Sequence, residues 1–338
     1  MPKRAHMRTL LIFLSALMAA SATWMLFRES PDQGLLFGTN PDLPTLTLYT
    51  TGLATTAQMP FWTGIQSGEI LRKCNIRVHV WKNTDDLRGL LLAGKGDLWL
   101  GHTEGFAQAH ALNAPVQMLL VSGWRKFYLI SRNPTLHALA DLSDHELAHA
   151  PPGSPGVSVL KALLTKEEAN IRFRGLEPRQ LALMLLEGKI DSALVPEPLL
   201  TSLLLKDPNL FIIANLEDIY GERTQGPRRM PLAGMAVNRH TAVRHPEIIA
   251  HILAVVEAEG KGLREDPLAG VDALPEAFSA FIPKEMVRAS LVRDLVHVES
   301  AWAAREEVLR YLNILMPGWA QGPAAWDTFF WKSTGEKG

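Results

Sequence analysis

Leu186-Glu187-Gly188-Lys189-Ile190-Asp191-Ser192-Ala193-Leu194-Val195-Pro196-Glu197-Pro198 decides how the rest of the chain is read. The pattern predicts a helix over 178–187, a short apolar strand over 191–195, and a loop holding Glu197 rigidly between two prolines. The same alternation continues on both sides, with strands over 171–173 and 211–214 and a helix over 199–205. Upstream, strands over 46–50, 76–81, 97–101 and 116–122 alternate with helices over 60–73, 85–93 and 104–112. Short apolar strands alternating with helices indicate parallel βαβ units, hence an open α/β sheet. One such series ends and a second begins near residue 136. Helices over 245–263, 267–281, 284–295 and 301–315 follow it. Two lobes are therefore expected, with the helical tail packing back on the first.

Composition narrows the classes. The 338 residues are 47% hydrophobic and 20% charged, ordinary for a globular protein with a substantial core. A formal charge of −1 gives no ground for nucleic-acid binding or for broad attraction to anionic membranes. Cys74 is the single cysteine, which excludes an internal disulfide and any CxxC zinc or redox site; it reads as a small half-buried side chain.

The N-terminus has a different character. Lys3, Arg4 and Arg8 precede an apolar run from Leu10 to Phe27, the pattern of an export signal. Ala20-Ser21-Ala22 offers a cleavage site, yet Trp24-Met25-Leu26-Phe27 extends the run to about the length that spans a bilayer. Residues 1–28 are thus expected as a cleaved signal or an uncleaved anchor, with membrane contact only through this segment if it stays uncleaved. The body is expected in the periplasm or otherwise outside the cytoplasm. Residues 29–44, rich in proline and glycine, read as a linker.

Several stretches could carry chemistry. His145-Glu146-Leu147-Ala148-His149 matches H-E-x-x-H, which binds zinc only when both imidazoles share one helix face. Pro151 and Pro152 follow at once, so the required helix has nowhere to run, and only spacing nominates Glu167 or Glu168 as a third ligand. No metal or other cofactor is expected. Gly153-Ser154-Pro155-Gly156-Val157-Ser158 reads as a turn opening a helix, with Ser154 as cap and Pro155 in the first turn. A helix N-terminus of this kind suits a carboxylate, sulfonate or phosphate, and equally suits nothing beyond its own cap. Loops after the expected strands, where open α/β sheets bind ligands, hold Thr51, Gly52, Thr103, Glu104, Trp124 and Glu197. Trp124 serves equally as a core aromatic. Glu197 could orient a ligand amine or brace two lobes. Arg228 and Arg229 stand in a Gly/Pro-rich stretch suited to a lobe crossover. No Ser–His–Asp, nucleophile-elbow or Cys–His pattern has supporting context, so an enzyme is not expected.

From residue 45 to 332 the chain resembles the type II periplasmic solute-binding proteins of ABC importers. The similar group is the one for nitrate, sulfonates, taurine and thiamine-pyrimidine precursors. The resemblance rests on Pro60-Phe61-Trp62, Gly96-Asp97-Leu98-Trp99-Leu100-Gly101, the stretch from Trp124 to Arg132, Leu139-Ala140-Asp141-Leu142, the segment quoted first, and Pro231 to Asn238. It implies a two-lobed α/β fold, each lobe an open mixed sheet flanked by helices, with a ligand cleft between them. By that resemblance lobe 1 covers 45–132, lobe 2 covers 133–231, and residues 232–338 return to lobe 1. It also implies a small-molecule ligand, closure about a hinge, a permease and its ATPase as partners, and a monomer. Thr51, Thr103, Trp124, Ser154 and Glu197 would line the cleft, and 145–149 would be extended. The chain departs from the group in lacking a lipid-attachment cysteine and in carrying Arg228-Arg229 where small or apolar residues are expected. Two alternatives use the same fold: a biosynthetic enzyme of the thiamine-pyrimidine or menaquinone type, or a membrane-anchored sensor. The first loses ground because Cys74 stands alone and an export signal precedes the body.

Overall fold

The computed structural model describes residues 34–280, 282–318 and 326–333. The expected export segment, 1–28, lies outside them. Among the described residues no helix is long and apolar enough to cross a membrane.

The chain first lays down β1 (Leu35–Phe37), β2 (Thr45–Thr51), β3 (Asn75–Trp81), β4 (Leu98–His102) and β5 (Val116–Gly123). Helices α1 (Met59–Gln66), α2 (Thr84–Leu92) and α3 (Thr103–Ala111) connect β2 through β5. It then enters a second sheet of β6 (Phe127–Ser131), β7 (Glu146–His149), β8 (Arg172–Gly175), β9 (Ser192–Pro196) and β10 (Phe211–Asn215). That lobe holds α4 (Pro155–Leu163), α5 (Pro178–Leu186), α6 (Leu199–Lys206) and α7 (Leu216–Thr224). The return strand β11 (Ala233–Asn238) leads to α8 (Arg239–Arg244), α9 (Pro246–Glu265), α10 (Pro267–Ala273) and α11 (Lys284–Ser290), then β12 (Val296–Ser300) and α12 (Arg305–Leu315).

The first sheet runs β1-β3-β2-β4-β11-β5-β12 and the second β10-β6-β9-β7-β8. Both are mixed. β2 is parallel to β3 and β4, whereas β11 is antiparallel to β4 and β5. In the second sheet β7 is parallel to β8 and β9, and β6 is antiparallel to β9 and β10. Central strands are covered on both faces. Leu46 and Leu48 of β2 enter one apolar cluster and Tyr49 the other, which is why these strands read as nearly continuous apolar runs. Each cluster extends through both lobes. One joins Leu48 and Ile249 to Ala193 and Leu200, and the other joins Trp99 and Trp124 to Phe127 and Val157.

Several boundaries differ from the sequence reading. The stretch 29–44 contains a strand, β1, where a linker was expected, and the segment after it is tied down by Asn75. The Asn75 amide donates to the carbonyls of Asn40 (2.8 Å) and Leu43 (3.2 Å). The helix expected over 60–73 ends at Gln66, where Gly68 turns the chain at φ +78°. The helix over 267–281 stops at Ala273, two residues before Pro275. The helix over 284–295 stops at Ser290 because the residues beyond it form β12 against the edge of β5, with Ser300 opposite Leu120. Most consequentially, Phe127–Ser131 pairs with β9, Tyr128 facing Val195, so it belongs to the second lobe. The chain therefore leaves the first sheet at residues 124–126, ahead of the boundary expected at 133. Gly234 is required where β11 passes β5, since a Cβ there would lie 2.0 Å from the Leu120 carbonyl oxygen. Cys74 is fully buried, and burial pushes its thiol pKa up to about 12, which leaves it unreactive.

Candidate functional site

The two connections between the lobes lie side by side. Met230 N–H donates to the Trp124 carbonyl (2.9 Å), Leu232 N–H to that of Gly123 (2.9 Å), and Thr103 N–H to that of Leu232 (3.1 Å). Asn215 caps α7 by accepting from the N–H groups of Glu217 (2.8 Å) and Asp218 (3.1 Å), which fixes Glu217 beside the outgoing connection. One carboxylate oxygen of Glu217 then accepts from the backbone N–H of Lys126 (2.8 Å) and Phe127 (3.3 Å). The other oxygen is buried without a hydrogen-bond partner. Burial pushes this carboxyl up to about 7, against which the backbone donors pull down.

Buried ion pairs add the helical tail to this junction. Lys126 Nζ meets Asp294 Oδ2 at 2.6 Å, and Thr56 Oγ1 donates to the same oxygen at 2.5 Å while also contacting Lys126 Nζ. One residue earlier, Arg293 Nε donates to Glu197 Oε1 (2.7 Å) and its Nη2 to Thr201 Oγ1 (2.6 Å). Glu197 also accepts from the Thr201 N–H and hydroxyl, both at 3.0 Å. Oε1 of Glu197 thus joins the tail to the second lobe, while Oε2 is held by the Thr201 N–H within that lobe. Tyr128, at the start of β6, donates to the Arg293 carbonyl (2.9 Å). Burial pushes its hydroxyl up to about 12, so it remains a donor at ordinary pH.

The remaining expected site residues fall into three groups. Thr51 and Gly52 lie at the end of β2, separated from β11 by β4, where Thr51 Oγ1 accepts from Leu53 N–H (3.3 Å). Thr103 and Trp124 stand at the crossover. Thr103 is buried with its hydroxyl unpartnered, and Glu104 beside it accepts from the Tyr311 hydroxyl (3.2 Å), its pKa raised by burial. Trp124 is fully buried; its indole N–H donates to the His297 carbonyl (3.1 Å), and the Arg229 guanidinium covers its ring at 4.2 Å. The third group opens α4. Gly153 is exposed at φ +70°, Ser154 is buried with its hydroxyl unpartnered, and Val157 is in the core. Gly156 packs on Phe127, where a Cβ would lie 2.6 Å from the ring. Replacing Gly156 by alanine is expected to cost about 1–3 kcal/mol in a urea titration, since ring and helix must separate; an unchanged midpoint would contradict this packing.

The H-E-x-x-H segment is extended, as the resemblance implied. At about 3.3 Å per residue a strand sets positions 145 and 149 about 13 Å apart, too far for one ion. Glu168 is occupied as well, since both its oxygens accept from Arg223 at 2.7 Å, an interaction that lowers its pKa. Among the described residues no group of three or more His, Cys, Asp or Glu could hold a metal ion. A chelator is therefore expected to leave the melting curve unmoved; a fall of several degrees on adding one would contradict this geometry.

Sequence reasoning missed Thr56, Arg125, Lys126, Tyr128, Glu217, Arg293 and Asp294. Lys126 and Asp294 are 168 residues apart, and no local pattern announces the pairing. Four of these residues, with Arg228 and Arg229, meet around the mouth of the junction. Arg125, Tyr128, Arg293 and Asp294 line a cavity of about 390 Å³ together with both crossover arginines.

No protein-family model and no curated protein matches the chain. Solved structures do. The aliphatic sulphonate-binding protein SsuA of Escherichia coli is 15% identical over 87% of this chain and 94% of its own, with a TM-score of 0.67. The alkanesulfonate-binding SsuA of Xanthomonas axonopodis pv. citri, bound to MOPS, is 18% identical over 85% of this chain and 99% of its own, with a TM-score of 0.59. The nitrate-binding protein NrtA of Synechocystis is 14% identical over 86% of each chain, with a TM-score of 0.61. The fold is that of the two-lobed periplasmic binding proteins.

Proposed function

We propose that the chain is the extracytoplasmic solute-binding component of an ABC importer. It captures a small molecule of the sulfonate, nitrate or thiamine-precursor class between its lobes and presents it to a permease driven by an ATPase. The observation that carries this reading is the lobe junction. Two sheets are joined by paired crossovers, and hydroxyls at strand-to-helix turns of both lobes, Thr103 in the first and Ser154 in the second, are buried without a hydrogen bond. Buried donors left unmade cost free energy, so a ligand that completes them is favoured there. The fold supports the reading, since the sulfonate- and nitrate-binding proteins named above share it.

Thermal denaturation of the full chain against alkanesulfonates, nitrate, bicarbonate, amino-pyrimidines and aromatic acids tests the proposal. Ligand at one hundred times its dissociation constant adds about 2.7 kcal/mol, which displaces the melting temperature by several degrees. A displacement by at least one solute is the expected result, and a melt indifferent to the whole panel would remove the basis for the proposal.

A further inference from the structure

Arg293 joins the two lobes through a contact that can separate without stranding a charge. It follows α11, which packs beside α10 of the first lobe and also on α6 of the second. From there its side chain reaches the first turn of α6, where Nε donates to Glu197 Oε1 (2.7 Å) and Nη2 to Thr201 Oγ1 (2.6 Å). Its carbonyl accepts from the Tyr128 hydroxyl on β6 (2.9 Å). All three partners belong to the second lobe. Three residues further on the chain is back in the first sheet, with Val296 of β12 opposite Gly123. The neighbouring carboxylates are engaged elsewhere: Asp294 with Lys126 and Thr56, and Glu217 with the Lys126 and Phe127 N–H groups. The Arg293 side chain is 29% exposed and borders the cavity, so water takes over its donors when the contact breaks. Glu197 then keeps the Thr201 N–H and hydroxyl within its own lobe. The Lys126–Asp294 pair has no such freedom, since both side chains are buried on the crossover side.

We infer that Arg293 is a latch that holds the two lobes closed in the absence of solute. Hydrogen bonds to an ionised group shift an equilibrium about ten- to a hundredfold when they are made in only one of its states. Closure in this chain is therefore biased by the chain itself, through a side chain from the C-terminal tail. A solute that enters between the lobes does so through the unlatched form, and the latch sets how much of that form exists. The latch follows from the two-lobed fold alone; its bearing on uptake rests on the solute-binding reading.

Electron–electron double resonance on the full chain tests it, with nitroxides placed by Leu112→Cys on the first lobe and Leu183→Cys on the second. Both side chains are exposed, 57% and 60%, and Cys74 is buried and stays unlabelled. Without solute the parent should give one closed distance. Arg293→Gln should raise the open-to-closed ratio about ten- to a hundredfold and so lengthen the mean distance. Arg293→Lys, which keeps the charge but not the paired donors, should fall between the two. Glu197→Gln, which keeps an oxygen for the Thr201 N–H, should lengthen the distance as well, and it guards against a folding defect peculiar to the arginine variants. Distances unchanged from the parent in both Arg293→Gln and Glu197→Gln, or a parent already spread between two distances, would overturn the latch. If a solute shifts the parent's melt while the variants keep its distances, the latch alone fails. If the variants open while no solute shifts the melt, the solute-binding reading alone fails.

Discussion

Asp294→Ala is expected to lower unfolding stability by about 3–5 kcal/mol, because it strips a desolvated ammonium of its counter-charge. Asp294 and Lys126 side chains are 0% and 10% exposed, so water does not replace the lost carboxylate. Thr56 keeps contact with Lys126 but supplies no charge. The companion variant Lys126→Met/Asp294→Leu separates the cost of an orphaned charge from the worth of the pair. Apolar residues in place of both partners typically lose little, so the double variant should fall within about 1 kcal/mol of the parent. Urea titrations of all three proteins give the comparison. A single variant that costs under about 1 kcal/mol would mean that solvent reaches this pair, and that the tail is not anchored to the hinge through it.

Glu217 should give the chain a distinctive pH dependence. Its carboxyl titrates at about 7 in the fold against 4.5 ordinarily, with burial the leading cause. The folded value is the higher one, so its stabilisation is complete below about pH 4.5 and is lost as pH rises through about 7. Between about pH 5 and pH 8 the wild type should therefore lose about 2–3 kcal/mol that Glu217→Gln does not. The glutamine keeps an oxygen for the N–H groups of Lys126 and Phe127, whereas Glu217→Ala leaves both unsatisfied at a cost of about 2–4 kcal/mol. Parallel stability–pH curves for wild type and Glu217→Gln would show that this carboxyl is solvated.

The lobes were legible in the sequence because burial on both faces makes central strands read as apolar runs, and because helices between them stop at glycine or proline. Edge elements were not. Val296-His297-Val298-Glu299-Ser300 has the composition of a strand only once β5 is known to lie beside it, and that partner is far upstream. The first crossover was misplaced for a related reason. Phe127 to Ser131 follows the strand of 116–122 after only a short interruption, and only pairing with β9 shows that a new sheet has started. At the site, sequence found the turns at which strands give way to helices, including Thr103, Ser154 and Glu197. It could not find the groups that lock those turns together, because Lys126 with Asp294 and Arg293 with Glu197 are contacts between distant segments. Arg228 and Arg229 were noticed as a departure from the similar group. That they share a cavity with Arg125 is visible only in the fold.

The central claim is that a small solute is held where the two lobes meet. Anomalous diffraction from crystals of the full chain grown with a bromoalkanesulfonate tests it by locating the bromine directly. The account predicts one strong peak per chain between the lobes, with the sulfonate within reach of the Thr103 and Ser154 hydroxyls. A peak elsewhere on the surface, or none at a concentration that saturates the chain in solution, would contradict it.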